Sequence, residues 1–143
     1  FAEMACFSPA LPLVGGGHTK FQPIYVADVA QAVMATLSQE SAYGQMFEIG
    51  GPSQKTFKEL MTLMLEVIER KRFLVSIPCP LAKLMGTFAQ FLPTPPLTPD
   101  QVELLKYDNI VSGKFPTLKD LNIEPCTIES IIPSYLARFR PMR

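Results

Sequence analysis

The sequence predicts an α/β fold with a parallel sheet, on three observations. A short apolar segment, residues 22–26, runs directly into a helical pattern that opens at Asp28. A second apolar segment, residues 46–50, follows that helix. Gly-rich turns bound the unit on either side, Gly15-Gly16-Gly17 before it and Gly50-Gly51-Pro52 after it. A strand–helix–strand order of this kind normally lays its two strands parallel in one sheet. Beyond residue 52 the pattern is mostly helical, so the chain divides into a strand–helix–strand region, 1–52, and a mainly helical region, 53–143.

In chain order, residues 1–14 are apolar and irregular, with Pro9 and Pro12 set against a long helix. Gly15–Lys20 reads as a turn. Its glycines suggest a phosphate cradle, but the spacing matches neither GxxxxGK[ST] nor GxGxxG, since Lys20 stands where the last glycine would be. Asp28 is placed to cap the following helix through its carboxylate, and Gln31 to close a capping box. That helix is expected to run to about Ser38 with Val29, Val33 and Leu37 inward. Thr56-Phe57-Lys58-Glu59 is a capping box opening a helix whose Phe57, Leu60, Met61, Met64 and Ile68 share a face, read as core and not as a methionine-lined groove.

Residues 73–77 alternate weakly and predict a short strand or an extended segment, ended by Pro78 and Pro80. Leu81, Leu84, Met85, Phe88 and Leu92 mark one face of the next helix, with Phe91 beside it, and Pro93–Pro96 a stiff connector. Thr98-Pro99-Asp100-Gln101 is the clearest helix start in the chain, with Val102, Leu105 and Leu104 turned inward. Thr117–Leu121 reads as a single turn with a left-handed exit at Asn122. Thr127 caps a last helix with Ile128, Ile131, Ile132, Tyr135 and Phe139 inward, which Pro133 should kink. Arg138, Arg140 and Arg143 complement its dipole.

Composition narrows the function. Of 143 residues, 48% are apolar and 18% charged, which is globular and not disordered. Thirteen basic and thirteen acidic side chains give no net field toward nucleic acid. Three cysteines without CxxC spacing fit neither a disulfide framework nor a zinc site. The start, Phe1-Ala2-Glu3-Met4, has no initiator methionine and no signal-peptide pattern, and reads as the middle of a longer chain. Between Phe73 and Pro99 the sole charge is Lys83, so this stretch suits a partner surface or a peripheral contact with a membrane.

An ordered series of motifs carries a resemblance: Gln22-Pro23-Ile24-Tyr25-Val26-Ala27-Asp28-Val29-Ala30, Phe47-Glu48-Ile49-Gly50-Gly51-Pro52, Leu97-Thr98-Pro99-Asp100-Gln101-Val102-Glu103, Leu118-Lys119-Asp120-Leu121-Asn122-Ile123 and Leu136-Ala137-Arg138-Phe139-Arg140. Together they resemble the C-terminal half of the extended and atypical short-chain dehydrogenase/reductases. The closest group is the reductase-like accessory subunit of respiratory complex I with its bacterial relatives. The resemblance implies the C-terminal part of a Rossmann-like NAD(P)-binding fold, one strand–helix–strand unit followed by a mostly helical substrate-side subdomain. It implies NADPH or NADH in a full-length protein and none on this chain alone. It also implies an N-terminal Rossmann half and complex I subunits as partners. The location it implies is the cytoplasm, the periphery of a bacterial inner membrane, or the matrix side of a mitochondrion.

The chemistry of an active reductase is not in the chain. No Lys follows any tyrosine by four positions, so no Tyr-x-x-x-Lys pair exists, and His18 alone builds neither a metal site nor a triad. The expectation is therefore no catalytic, cofactor-binding or metal-ligating residue here. By the resemblance, Gln22, Pro23 and Tyr25 lie on the substrate side of the cofactor cleft, with Asp28 a structural cap. Lys20 and Phe21 stand where an Arg often precedes that strand in the catalytic family. The resemblance leaves two functions open: a non-catalytic accessory or assembly subunit, or the substrate-binding portion of an active NAD(P)-dependent epimerase, dehydratase or reductase.

Overall fold

The computed structural model describes residues 1–89 and 98–141. Its elements are α1 (Ala2–Phe7), β1 (Ala10–Val14), β2 (Lys20–Phe21), α2 (Val26–Ser38), β3 (Lys55–Thr56), α3 (Phe57–Val67), β4 (Phe73–Ile77), α4 (Cys79–Ala89), α5 (Pro99–Leu104) and α6 (Ile128–Leu136). Short 3-10 turns lie at Gly15–Gly17, Glu40–Ala42, Leu118–Leu121 and Ala137–Phe139. The strands pair as β1 with β4 and β2 with β3. The fold is α/β with a small parallel sheet. Leu92, Phe91, the Pro93–Pro96 connector and Arg143 lie outside the described residues.

By compactness the chain forms two units. One gathers Phe1–Lys20, Lys55–Asp108 and Ile132–Arg143, and the other Phe21–Gln54 and Asn109–Ile131. Each draws on distant stretches of sequence, where the sequence reading set one boundary at residue 52.

The parallel pair belongs to the first unit. β1 and β4 run in register from Ala10 opposite Phe73 to Val14 opposite Ile77. The sequence reading left residues 1–14 irregular, with Pro9 and Pro12 set against a long helix. A proline costs a ladder bond only where its missing N–H was needed, and a strand with one partner has a spare edge. Val14 packs with Ala82 and Val102 in a core that Ile77, Cys79 and Leu105 border. The turn that follows needs glycine at position 17: its φ is +72°, and a Cβ there would lie 3.1 Å from the backbone nitrogen of Lys58.

α3 forms as its sequence dictates. The Thr56 hydroxyl accepts from Glu59 N–H at 3.2 Å, and the Glu59 carboxylate accepts from Thr56 N–H at 2.7 Å. The Thr56 backbone bond, with that of its hydroxyl, holds the Glu59 carboxyl below its ordinary value. Phe57, Met61, Met64, Leu65 and Ile68 are buried, so the methionines are core. Full burial of such side chains is worth about 1.5–3 kcal/mol each. One of the C-terminal arginines, Arg140, serves this helix. Arg140 Nε donates to the carbonyl of Val67, the last residue of α3, at 2.8 Å, and Arg70 Nε donates to that of Phe139 at 2.9 Å.

α4 carries small residues on one face and large apolar ones on the other. Ala82 and Gly86 face inward, while Leu81, Leu84, Met85 and Phe88 are exposed. Gly86 is what lets the start of α5 approach: a Cβ there would lie 3.1 Å from the backbone of Thr98 and Pro99. α5 itself opens with the expected capping box between Thr98 and Gln101, and Val102 is fully buried. Leu104 is exposed, not inward.

The second unit is centred on α2 and a core of Ala32, Ala42, Leu118, Leu121 and Ile123, bordered by Ile24, Ala35, Phe47 and Ile49. Leu118–Leu121 is a 3-10 turn capped by Thr117 and Asp120, and Asn122 leaves it at φ 58°, ψ 35°, the left-handed exit the sequence predicts. Three expectations are corrected here. Residues 22–25 and 46–50 form no strand, and Val26 is already helical. Each segment makes isolated bonds, such as Gln22 N–H to Asn109 O at 3.0 Å and Glu48 N–H to Pro116 O at 2.9 Å, and Pro23 has no N–H to continue a ladder. The helix begins at Val26, with Tyr25 at the N-cap and no side-chain cap, so Asp28 is a third-position acid inside the first turn and not the cap. Finally, α2 buries Asp28 and Ala32, while Val33 and Leu37 are exposed.

In α6, Pro133 sits within a continuous helix, and Ile128, Ile131 and Ile132 are half-buried. Tyr135 is exposed where the sequence placed it inward.

Candidate functional site

The site is built from backbone approach. At Gly50-Gly51 the segment passes so close to residues 22–23 that a side chain on either glycine would have to displace its neighbours. A Cβ on Gly51 would lie 1.8 Å from the Pro23 carbonyl oxygen, and one on Gly50 2.8 Å from Gln22 Cδ. That approach lets the Gln22 side chain bridge two segments. Its Nε2 donates to Gly51 O at 2.8 Å, and its Oε1 accepts from Val111 N–H at 3.1 Å. An amide is suited to this because it offers donor and acceptor on one planar group.

Beside the bridge lies a cavity of about 230 Å³, lined by Gln22, Glu48, Gly50, Asn109 and Val111 among others. Ligand pockets usually run to about 300–1,000 Å³, so this one is small beside them. Gln22 lines it. Pro23 and Tyr25 are not among its lining residues: Pro23 meets Gly51 through its backbone, and the Tyr25 carbonyl accepts from Asp28 and Val29 N–H at 3.1 and 3.2 Å to start α2.

Glu48 is the residue that sequence reasoning missed. Its carboxylate accepts from Ser112 N–H and Ser112 Oγ, both at 2.7 Å, and from Gly113 N–H at 3.2 Å. The Ser112 hydroxyl, then the two backbone N–H groups and the nearby Lys114 charge, hold it below its ordinary 4.5 despite some desolvation. No local pattern announces this, because the partners lie 64 and 65 positions away.

Asp28 is the other anchor. It is 2% exposed, and its Oδ2 accepts from Cys126 N–H at 2.8 Å. Desolvation, then Asp28 beside it, pushes the Cys126 thiol up, away from the thiolate a nucleophile needs. Among the described residues no group of three or more His, Cys, Asp or Glu could hold a metal ion. Beside Gly17 in the Gly15–Gly17 turn, the space is taken by Lys58 and Leu13.

No protein-family model matches the chain. Among its curated relatives are subunits of mitochondrial NADH–ubiquinone oxidoreductase, so the resemblance carried by the motifs holds. The chain is 36% identical, over 91% of its length, to NADH dehydrogenase (ubiquinone) 1 alpha subcomplex subunit 9, mitochondrial, of Arabidopsis thaliana. It is 29% identical over 87% of its length to the NADH-ubiquinone oxidoreductase 40 kDa subunit, mitochondrial, of Neurospora crassa. It is 28% identical over 94% of its length to the subunit 9 protein of Mus musculus. The matches cover 35%, 34% and 36% of those proteins, so the chain spans about a third of the length of these relatives.

Proposed function

We propose that this chain is the substrate-side portion of a reductase-derived accessory subunit of respiratory NADH–ubiquinone oxidoreductase, and that it contributes to assembly and stability of that enzyme without turnover. The observation that carries the reading is the similarity over 91% of the chain to a subunit of that enzyme. The polar groups at the Gln22 bridge support it. They hold backbone segments together, and the sequence has no Tyr-x-x-x-Lys pair to move a proton.

In this reading the chain completes a Rossmann-like NAD(P)-binding fold whose cofactor half, with its NADPH, lies in the further length of a family-sized polypeptide. Gln22, Pro23 and Tyr25 then stand on the substrate side of that cleft. The working location is the matrix side of a mitochondrion, or the cytoplasmic periphery of a bacterial inner membrane, with the outward side chains of β4 and α4 toward a partner or the membrane surface. No described helix is long and apolar enough to cross a membrane. Affinity purification of the tagged protein from gently solubilised respiratory membranes tests the reading. Enrichment of respiratory-complex subunits is expected, and their absence from the eluate would overturn it.

A further inference from the structure

α2 shows its large apolar side chains to solvent and its small ones to its own core. Asp28, Ala32 and Ala35 lie on one face, and the first two are buried. Val26, Ala30, Val33, Met34 and Leu37 follow a helical stripe on the other, at spacings of four, seven, eight and eleven from Val26. Val26, Val33, Met34 and Leu37 are 67%, 53%, 64% and 66% exposed. Tyr43, 62% exposed, adjoins the end of the stripe through its hydroxyl, which donates to Leu37 O at 3.2 Å. The one charge on the helix, Asp28, is turned inward to Cys126, so the solvent side of α2 carries none.

We infer that this face of α2 is the docking surface for the further length of a family-sized polypeptide, an apolar protein surface and not a lipid one. The inference rests on the reading above and assigns its partner contact to named residues. Two observations select the occupant. From residue 21 to residue 54 the chain has no Lys or Arg, and the second unit holds two basic against six acidic side chains, so an anionic lipid surface has nothing to attract it. The chain also spans about a third of its relatives, which leaves roughly twice its own length to cover such a face.

The test is to co-express the tagged chain with the part of the Arabidopsis thaliana relative that its match does not cover, and to measure how much of that part is recovered. The variants are Met34→Glu and Val33→Glu with Leu37→Glu, all at exposed positions, and Leu104→Glu on α5, also exposed, as a control. Melting curves of the isolated variants must match that of the parent. The expected result is recovery with the parent and with Leu104→Glu, and at least a tenfold loss with either α2 variant. Equal recovery with the α2 variants overturns this inference and leaves the functional reading standing. No recovery with any chain overturns both. Binding of the isolated chain to phosphatidylserine-containing vesicles, or self-association, that the α2 variants abolish overturns the assignment of the occupant.

Discussion

The carboxylate of Asp28 accepts the backbone N–H of Cys126 at 2.8 Å, joining positions 98 apart in the sequence. An aspartate in the first turn of a helix reads as a local device. Here it ties the start of α2 to the segment that leads into α6. Asp28→Ala leaves a backbone N–H without its acceptor and should cost about 1–3 kcal/mol, whereas Asp28→Asn, which keeps an oxygen there, should recover most of it. Urea denaturation checks both. An alanine variant within about 0.3 kcal/mol of the parent would show that the bond contributes nothing.

The Gly51–Pro23 approach sets a second expectation. Gly51→Ala places a methyl 1.8 Å from a carbonyl oxygen, a distance no rotamer change relieves. The backbone must move, at a cost of about 1–3 kcal/mol or more. Gln22→Leu, of similar size, strips the acceptor from Val111 N–H and the donor from Gly51 O, and should fall in the same range. Thermal melting of both variants beside Gly44→Ala is the measurement. Gly44 has a φ of +72° but nothing within 4 Å, so its cost is backbone strain alone and should be the smallest of the three.

Glu48 gives the loop at Ser112–Gly113 a pH response. Its folded value is lowered, so its contribution is present above the ordinary 4.5 and is lost as pH falls through the folded value. The amide resonances of Ser112 and Gly113 should move together as pH drops from about 6 to about 3, tracking protonation of one carboxyl. In Glu48→Gln that shared movement should vanish. Its persistence would assign the titration to another group.

What was legible in the sequence was what neighbours decide. The capping boxes at Thr56–Glu59 and Thr98–Gln101, and the left-handed exit at Asn122, depend on residues within four positions and formed as read. What depended on distant partners was not. Glu48 and Asp28 find their acceptor roles across the chain, and β1 becomes a strand only because β4 pairs with it. The face of α2 was inverted for a related reason. Periodicity shows that a helix has two faces, but small Ala32 allows closer approach than Leu37, and close approach decided which face went inward.

A fourth expectation concerns the cofactor. The chain by itself should give no heat of binding when titrated with NADPH in a calorimeter, because the cavity beside Gln22 is about 230 Å³ and the Gly15–Gly17 turn is packed against protein. Co-expressed with the uncovered part of the Arabidopsis thaliana relative, it should bind NADPH. Micromolar binding by the chain alone would place the cofactor's residues within these 143 positions.

The most direct measurement of the central claim is a native gel of gently solubilised respiratory membranes, probed for this chain and for NADH dehydrogenase activity. The account predicts that the two coincide in one high-mass band. A chain that migrates wholly apart from that activity would contradict it.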